Sequence, residues 1–317
     1  GRKAVSVRTA AVACTRRKRL YRRNAAALSL AGAGGIQLSG TLYIVGTPIG
    51  NLEDITLRQL RILGEVDFVA AEDTRVTRKL LNHYELKTPA VSYHEHSGTA
   101  VAQSIAQRIL AGESCAVVTD AGMPCISDPG EPLVQLCREQ GIPVTVVPGP
   151  SAAIAALAIS GQHTAQFTFE GFLSVTKKQR IAHLERLRTE QRTMIFYEAP
   201  HKLLRTLSDM QQYFGADRSL SICRELTKVH EEVCTMTLTE AVAHYTATPP
   251  KGEFVLVVAG AVPQEPETTL SLEAAVERVQ QAVEQGMRLT DACKQLAQET
   301  GYRKSQLYEA VSRMAQK

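Results

Sequence analysis

Asp120 ends the apolar run Cys115–Thr119 and opens the turn Asp120-Ala-Gly-Met-Pro-Cys-Ile-Ser-Asp-Pro-Gly130. A carboxylate there can accept hydrogen bonds from the hydroxyls or amine of a ligand, and Gly122 and Pro124 let backbone approach that ligand closely; a turn-capping Asp120 is the plainer alternative. Asp128, before Pro129 and Gly130, is either a helix N-cap or a ligand contact. Glu72-Asp73-Thr74-Arg75 sets acid and cation side by side, for chemistry or as a structural salt bridge. Ser151 and Ala152 open a helix whose first backbone N–H groups can hold polar ligand atoms. Pro48 and Tyr197 would wall an apolar or aromatic ligand, or simply pack.

These residues need a frame that gathers them. The turns Leu42-Tyr-Ile-Val-Gly-Thr-Pro-Ile-Gly-Asn51, Val118–Gly130 and Val146-Val-Pro-Gly-Pro-Ser-Ala152 each follow an apolar run. Ligands of parallel sheets bind at the carboxyl ends of strands, so the three turns suggest one shared pocket. Strands are predicted at Leu42–Val45, Val66–Ala71, Ala90–Tyr93, Cys115–Thr119 and Val144–Val147. Helices are predicted after a Thr56 cap, with Leu57, Leu60 and Leu63 on one face, and over Thr99–Leu110 and Glu131–Glu139. This gives an α/β lobe over 41–149. A second lobe over 150–262 begins with a small-residue helix, Ala152–Ile159. Its β-like runs are Phe167–Gly171, Thr193–Tyr197, Leu220–Arg224, Val233–Leu238 and Phe254–Val258, with helices at Lys178–Leu187 and Lys202–Tyr213, the pattern of a mixed sheet. A polar, proline-bearing linker over 263–271 leads to a helical module over 272–317. Its spacing is like a helix-turn-helix, although most short helical hairpins bind no nucleic acid, and Arg303, Lys304 and Arg313 add little to that case.

Composition narrows the class. The chain has 317 residues, 44% apolar and 21% charged, enough for a large core in two or more domains. Its net charge of +4 is misleading: residues 1–40 carry nine Lys or Arg and no Asp or Glu, leaving −5 for 41–317. The leader reads as a disordered extension or an upstream start, with an organellar transit peptide as the alternative. Seven scattered cysteines without C-x-x-C spacing indicate neither a disulfide framework nor a zinc site, and no apolar run would span a bilayer, so the expected location is cytoplasmic. His94-Glu95-His96 lacks an evident third ligand, which favours a solvated pair and no metal. Phosphate-loop and dinucleotide fingerprints are absent, as are the common hydrolase motifs, so the expected ligand is no polyphosphate.

Eight segments then stand in a distinctive order: Val45–Asn51, Ala71–Arg75, Asp120–Gly130, Pro148–Ala152, Phe169-Glu-Gly-Phe-Leu173, Phe196-Tyr-Glu-Ala-Pro-His201, Arg224-Glu-Leu-Thr-Lys228 and Lys251-Gly-Glu253. On these motifs residues 41–317 resemble the ribosomal RNA small subunit methyltransferase I family, of the tetrapyrrole methylase superfold. The resemblance implies a two-lobed α/β fold and transfer of a methyl group from S-adenosyl-L-methionine to the ribose 2′-hydroxyl of a cytidine in the decoding region of 16S rRNA. It also implies a homodimer acting on the small ribosomal subunit, with the cofactor in the cleft between the lobes.

For that ligand the candidate cofactor-binding residues are Pro48, Asp120, Gly122, Met123, Ile126, Ser127, Ser151, Ala152, Tyr197 and Glu253, and the chemistry of the remaining polar residues suggests their roles. Glu72 or Asp73 would orient or deprotonate the hydroxyl while Arg75 grips RNA, and Lys228 and Lys251 would meet the RNA as well. Two alternatives stand beside it. A tetrapyrrole (precorrin) methylase should lack the Glu-Asp-Thr-Arg motif and the terminal module, and a non-catalytic RNA-binding protein would have a vestigial cleft.

Overall fold

The computed structural model describes residues 39–262 and 270–314, so all but Ser39 and Gly40 of the basic leader, and 263–269 of the linker, lie outside the described residues. The chain divides into two compact units, one ending at Gly260 and the other starting at Ala261.

The first unit opens with five short strands: β1 (Leu42–Val45), β2 (Phe68–Ala71), β3 (Ala90–Ser92), β4 (Cys115–Val118) and β5 (Val144–Val147). All pair in parallel, in the order β3-β2-β4-β1-β5. Alternation along each strand splits the core between the two faces. Val45, Val69 and Ala116 pack under α1 (Leu57–Glu65) and α2 (Thr74–His83), whereas Leu42, Phe68 and Val117 pack under α3 (Thr99–Leu110) and α4 (Glu131–Glu139). The chain leaves neighbouring β1 and β4 in opposite directions along the sheet, toward β2 and β5. This is a topological switch point, where open α/β sheets form a ligand crevice.

The sequence places this lobe well, with two differences. Thr56 caps α1 in a full capping box, but Leu57 is 83% exposed and the buried residues are Gln59, Ile62 and Leu63. The face turns because the Gln59 amide reaches inward and donates to the Gly46 carbonyl at 2.6 Å. Helix α2 has no counterpart among the predicted helices, since of its ten residues only Thr77 and Leu81 are buried.

The rest of this unit begins with α5 (Ala152–Ile159) and continues through β6 (Phe167–Phe172), α6 (Lys177–Leu187), β7 (Thr193–Glu198), α7 (Pro200–Phe214), β8 (Ser219–Arg224), β9 (Glu232–Thr237), α8 (Leu238–Ala247) and β10 (Phe254–Val258). The second sheet runs β6-β7-β10-β8-β9, with β6 and β7 parallel and the other pairs antiparallel. Helices α6, α7 and α8 bury Leu184, Leu207, Met210 and Leu238 against one face. The other face packs on α5 through Ala153, Ala156 and Leu157, and Ile49, from the turn after β1, joins that cluster. Helix α8 likewise has no predicted counterpart; the strand expected over Val233–Leu238 ends at Thr237, whose side chain caps α8 in a second capping box.

In the second unit α9 (Leu272–Glu284), α10 (Leu289–Thr300) and α11 (Lys304–Met314) enclose Val276, Val279, Leu296 and Leu307. Gly301 ends α10 in the left-handed conformation, the usual glycine stop. Among the described residues no helix is long and apolar enough to cross a membrane.

Candidate active site

The turns after β1, β4 and β5 meet. Thr47 and Gly122 exchange two backbone hydrogen bonds, 2.9 Å from Thr47 N–H and 3.1 Å from Gly122 N–H, and the Thr47 hydroxyl donates to the Thr119 carbonyl at 3.1 Å. Gly46 lies flat against Gly149, where a Cβ would stand 2.7 Å from the Gly149 Cα, so side chains are excluded at this crossing. Gly122 takes φ +92, and a Cβ there would come within 3.4 Å of Ile49 and 3.6 Å of the Pro150 carbonyl.

Beside this crossing lies a cavity of about 940 Å³ whose walls come from turns that follow strands of the first sheet, from the start of α5 and from strands of the second sheet. Its volume is within the roughly 300–1,000 Å³ range of small-molecule sites. Of the residues read from the sequence, Glu72, Asp120, Gly122, Met123, Ile126 and Ser127 line it from the first lobe, and Ser151, Ala152, Tyr197 and Glu253 from the second. Ile126 is 54% exposed, an apolar side chain standing in a wall with no protein over half its surface.

Five candidates are not in the wall. Pro48 is buried in the turn after β1 and packs. Asp73 caps α2, accepting the Arg75 backbone N–H at 2.7 Å, and its carboxylate also binds the Arg75 guanidinium at 2.7 Å. That bond holds the Asp73 carboxyl down at about 2. Arg75 itself stays 84% exposed. Lys228 Nζ lies between Glu225 at 2.8 Å and Glu253 at 2.9 Å. Burial pulls its pKa down, but the two carboxylates outweigh that and leave it above the ordinary lysine value. Lys251 is exposed on the turn before β10.

The acidic groups are held in a chain. Glu72 Oε2 accepts the Thr119 hydroxyl at 2.5 Å and the Asp120 N–H at 3.3 Å, while Asp120 Oδ1 accepts the Asp73 N–H at 3.2 Å. Burial, reinforced by the Glu72 charge, raises the Asp120 carboxyl. Asp128 also lines the cavity and is no helix cap, because Gly130 occupies the N-cap of α4. Burial first, then the Glu72 and Asp120 charges, push its carboxyl up to about 6. The loop carrying it is strained: Cys125 and Ser127 take φ 70 and 60, a left-handed conformation costly for residues other than glycine.

The second lobe supplies an aromatic wall. The Tyr197 ring meets Phe169 and Phe172 edge-on at 5.0 and 5.5 Å, and its hydroxyl accepts the Ala153 N–H at 3.1 Å at the start of α5. Phe167, Phe169, Phe172, Ile49, Leu226 and Val255 also line the cavity and are not among the site residues that the sequence predicts. The motif Phe169-Glu-Gly-Phe-Leu173 held the signal for two of them. β6 bulges between Phe169 and Gly171, and a Cβ on Gly171 would stand 3.1 Å from Ser127 Oγ, which brings this wall against the strained loop.

Comparison with known proteins agrees with this architecture. The family described as Tetrapyrrole (Corrin/Porphyrin) Methylases matches residues 41–242. The chain is 47% identical over 270 residues to a protein of Synechocystis named ribosomal RNA small subunit methyltransferase I, covering 85% of this chain and 96% of that one. It is likewise 47% identical over 272 residues to the protein of that name from Halalkalibacterium halodurans, covering 85% and 93%. The uroporphyrin-III C-methyltransferase of Thermus thermophilus, solved with S-adenosyl homocysteine, has the same fold, with a TM-score of 0.51 at 18% identity over 69% of this chain and 97% of that one. With its fold, its ordered motifs and its relatives in agreement, the chain belongs to the ribosomal RNA small subunit methyltransferase I family of the tetrapyrrole methylases.

Proposed function

We propose that this protein moves the methyl group of S-adenosylmethionine to the ribose 2′-hydroxyl of a cytidine in the decoding region of 16S rRNA, working as a homodimer on the small ribosomal subunit. The observation that carries this reading is the meeting of three strand-end turns in one apolar, carboxylate-bearing cavity, in a chain of this family.

The cavity residues fit the cofactor. Ile49, Ile126 and Val255 offer apolar surface, the Tyr197 cluster an aromatic face, and Asp120 and Glu253 acceptors for hydroxyls or an amine. Gly122 lets backbone come close, with Met123 and Ser127 beside it, and Ser151 and Ala152 present the start of α5. When bound, the cofactor supplies an electrophilic methyl group on a sulfonium, so the chain's task is mainly placement. Alignment of reactants is worth roughly 7–11 kcal/mol.

Glu72, locked by Thr119, orients the acceptor hydroxyl. Asp128 accepts its proton: a half-buried carboxyl near 6 is ionised at neutral pH yet binds a proton readily, and a positioned general base contributes about 10²–10⁴-fold. Asp73, too acidic to be that base, holds Arg75 toward an RNA phosphate. Lys251 is the second lobe's cation for RNA, while Lys228 positions Glu253.

The test incubates small subunits lacking the modification with the protein and S-adenosylmethionine, then maps the 16S RNA by mass. One methyl on a cytidine ribose supports the reading. A methyl on a base, or no saturable cofactor binding by calorimetry, overturns it.

A further inference from the structure

A second cavity, of about 590 Å³, shares Ser127 and Asp128 with the first. Its other walls come from the segment after β3, the start of α3 and the length of α4. Pro129, Pro132, Ala102 and Leu136 give apolar surface, and Tyr93 is buried beneath at 4% exposure. No Lys or Arg lines it, whereas Glu95, Asp128, Glu131 and Glu139 all do. Gln103 and Gln135 add amides, and Gln135 donates to Glu139 at 3.0 Å, fixing that carboxylate.

A hollow edged with four carboxylates, whose one basic side chain is the imidazole of His94, disfavours phosphate. It suits a neutral, flat ring that carries amine donors and buries its faces on apolar surface. Bases recognised out of the helical stack are held in this way, by their faces and by hydrogen bonds along their pairing edge. The sugar joined to such a base would reach Asp128, which with Ser127 is common to both cavities.

We propose that the second cavity receives the base of the acceptor nucleoside, turned out of its stack, and that Glu95 and Glu139 select a base with an exocyclic amine, cytosine over uracil. This rests on the methyl-transfer reading above. It adds the source of base specificity, which the cofactor cavity alone does not provide.

The test uses the full chain and unmethylated small subunits with either cytidine or uridine at the acceptor position. Gln135 is an exposed position on α4, so Gln135→Trp fills the cavity from the surface. It should leave cofactor affinity by calorimetry within about twofold and lower kcat/KM for subunits by roughly tenfold or more. The double variant Glu95→Gln, Glu139→Gln should shrink the cytidine-to-uridine ratio of kcat/KM by roughly tenfold. That ratio compares two substrates on one protein, so a loss of folded fraction does not move it. An unchanged ratio, or a folded Gln135→Trp protein with wild-type turnover, overturns the proposal. Failure of the wild-type protein to bind S-adenosylmethionine or to methylate either subunit would instead bring down the functional reading beneath it.

Discussion

Thr47 and Gly122, 75 residues apart, pair through two reciprocal backbone hydrogen bonds that pin the turn after β1 to the turn after β4. The pairing requires Gly122 at φ +92, where a side chain is strained whatever the space around it. Gly122→Ala should therefore lose roughly 1–3 kcal/mol of stability. Cofactor affinity should fall with it, because the same turn walls the cavity. Thermal unfolding and calorimetry check both; an unchanged Tm would mean that the turn tolerates a Cβ.

Tyr197 ties the lobes' shared site to the start of α5, its hydroxyl accepting a hydrogen bond from the Ala153 N–H. Tyr197→Phe keeps the ring contacts with Phe169 and Phe172 and leaves that N–H without its acceptor. A part-buried donor left unpaired costs roughly 1–3 kcal/mol, so Tm should drop by several degrees with only a modest loss of cofactor affinity.

Asp128→Asn separates chemistry from stability. Transfer should fall by about 10²–10⁴-fold, and the wild-type rise of kcat/KM with pH through about 6 should flatten in the variant. Stability should move the other way. The native carboxyl has a higher pKa than the unfolded one, so the fold favours its protonated form. That stabilisation is complete below about pH 4 and is lost as pH rises through about 6. The variant should thus be more stable than wild type at pH 7–8, by roughly 1–2 kcal/mol after allowance for partial exposure, and the gain should vanish in acid. Equal Tm values at pH 8 would remove the burial argument.

Arg75→Ala should leave cofactor binding intact, since Arg75 lies outside the cavity wall. If its guanidinium meets a phosphate, the slope of log affinity for RNA against log salt should shrink by roughly 0.7–0.9. A slope equal to that of wild type would confine Arg75 to holding Asp73.

Lys228→Met removes the ammonium shared by Glu225 and Glu253. The Lys228 loop also packs against the turn after β1, where a Cβ on Gly50 would stand 2.6 Å from Lys228 Cγ. The variant should lose roughly 1–2 kcal/mol and weaken cofactor binding, with the salt slope for RNA unchanged. A changed slope would return Lys228 to the RNA-contacting set.

Much of the frame was legible because its signals are local. Apolar runs ending in glycine and proline mark β1, β4 and β5, and the predicted bounds of α3, α4 and α5 agree with the observed ones. Helix α2 escaped because an exposed helix with two buried residues has little periodicity to read. Leu57 was misplaced for a related reason, since an inward Gln59 amide, which no hydropathy pattern weights, sets the face of α1.

The sequence alone determined which residue types were available and where the chain must turn: the glycines at 46, 122 and 149, the acids at 72, 120 and 128, and the alternation of strand and helix. Tertiary structure decided their partners. It placed Thr119 on Glu72, set Asp120 against the Asp73 N–H, took Pro48 out of the cavity wall, and inserted β10 between β7 and β8. The physical reason is range. Turn and helix preferences act within a few residues, whereas the burial that lifts Asp128 and the pairing that joins Thr47 to Gly122 exist only once distant segments share one space.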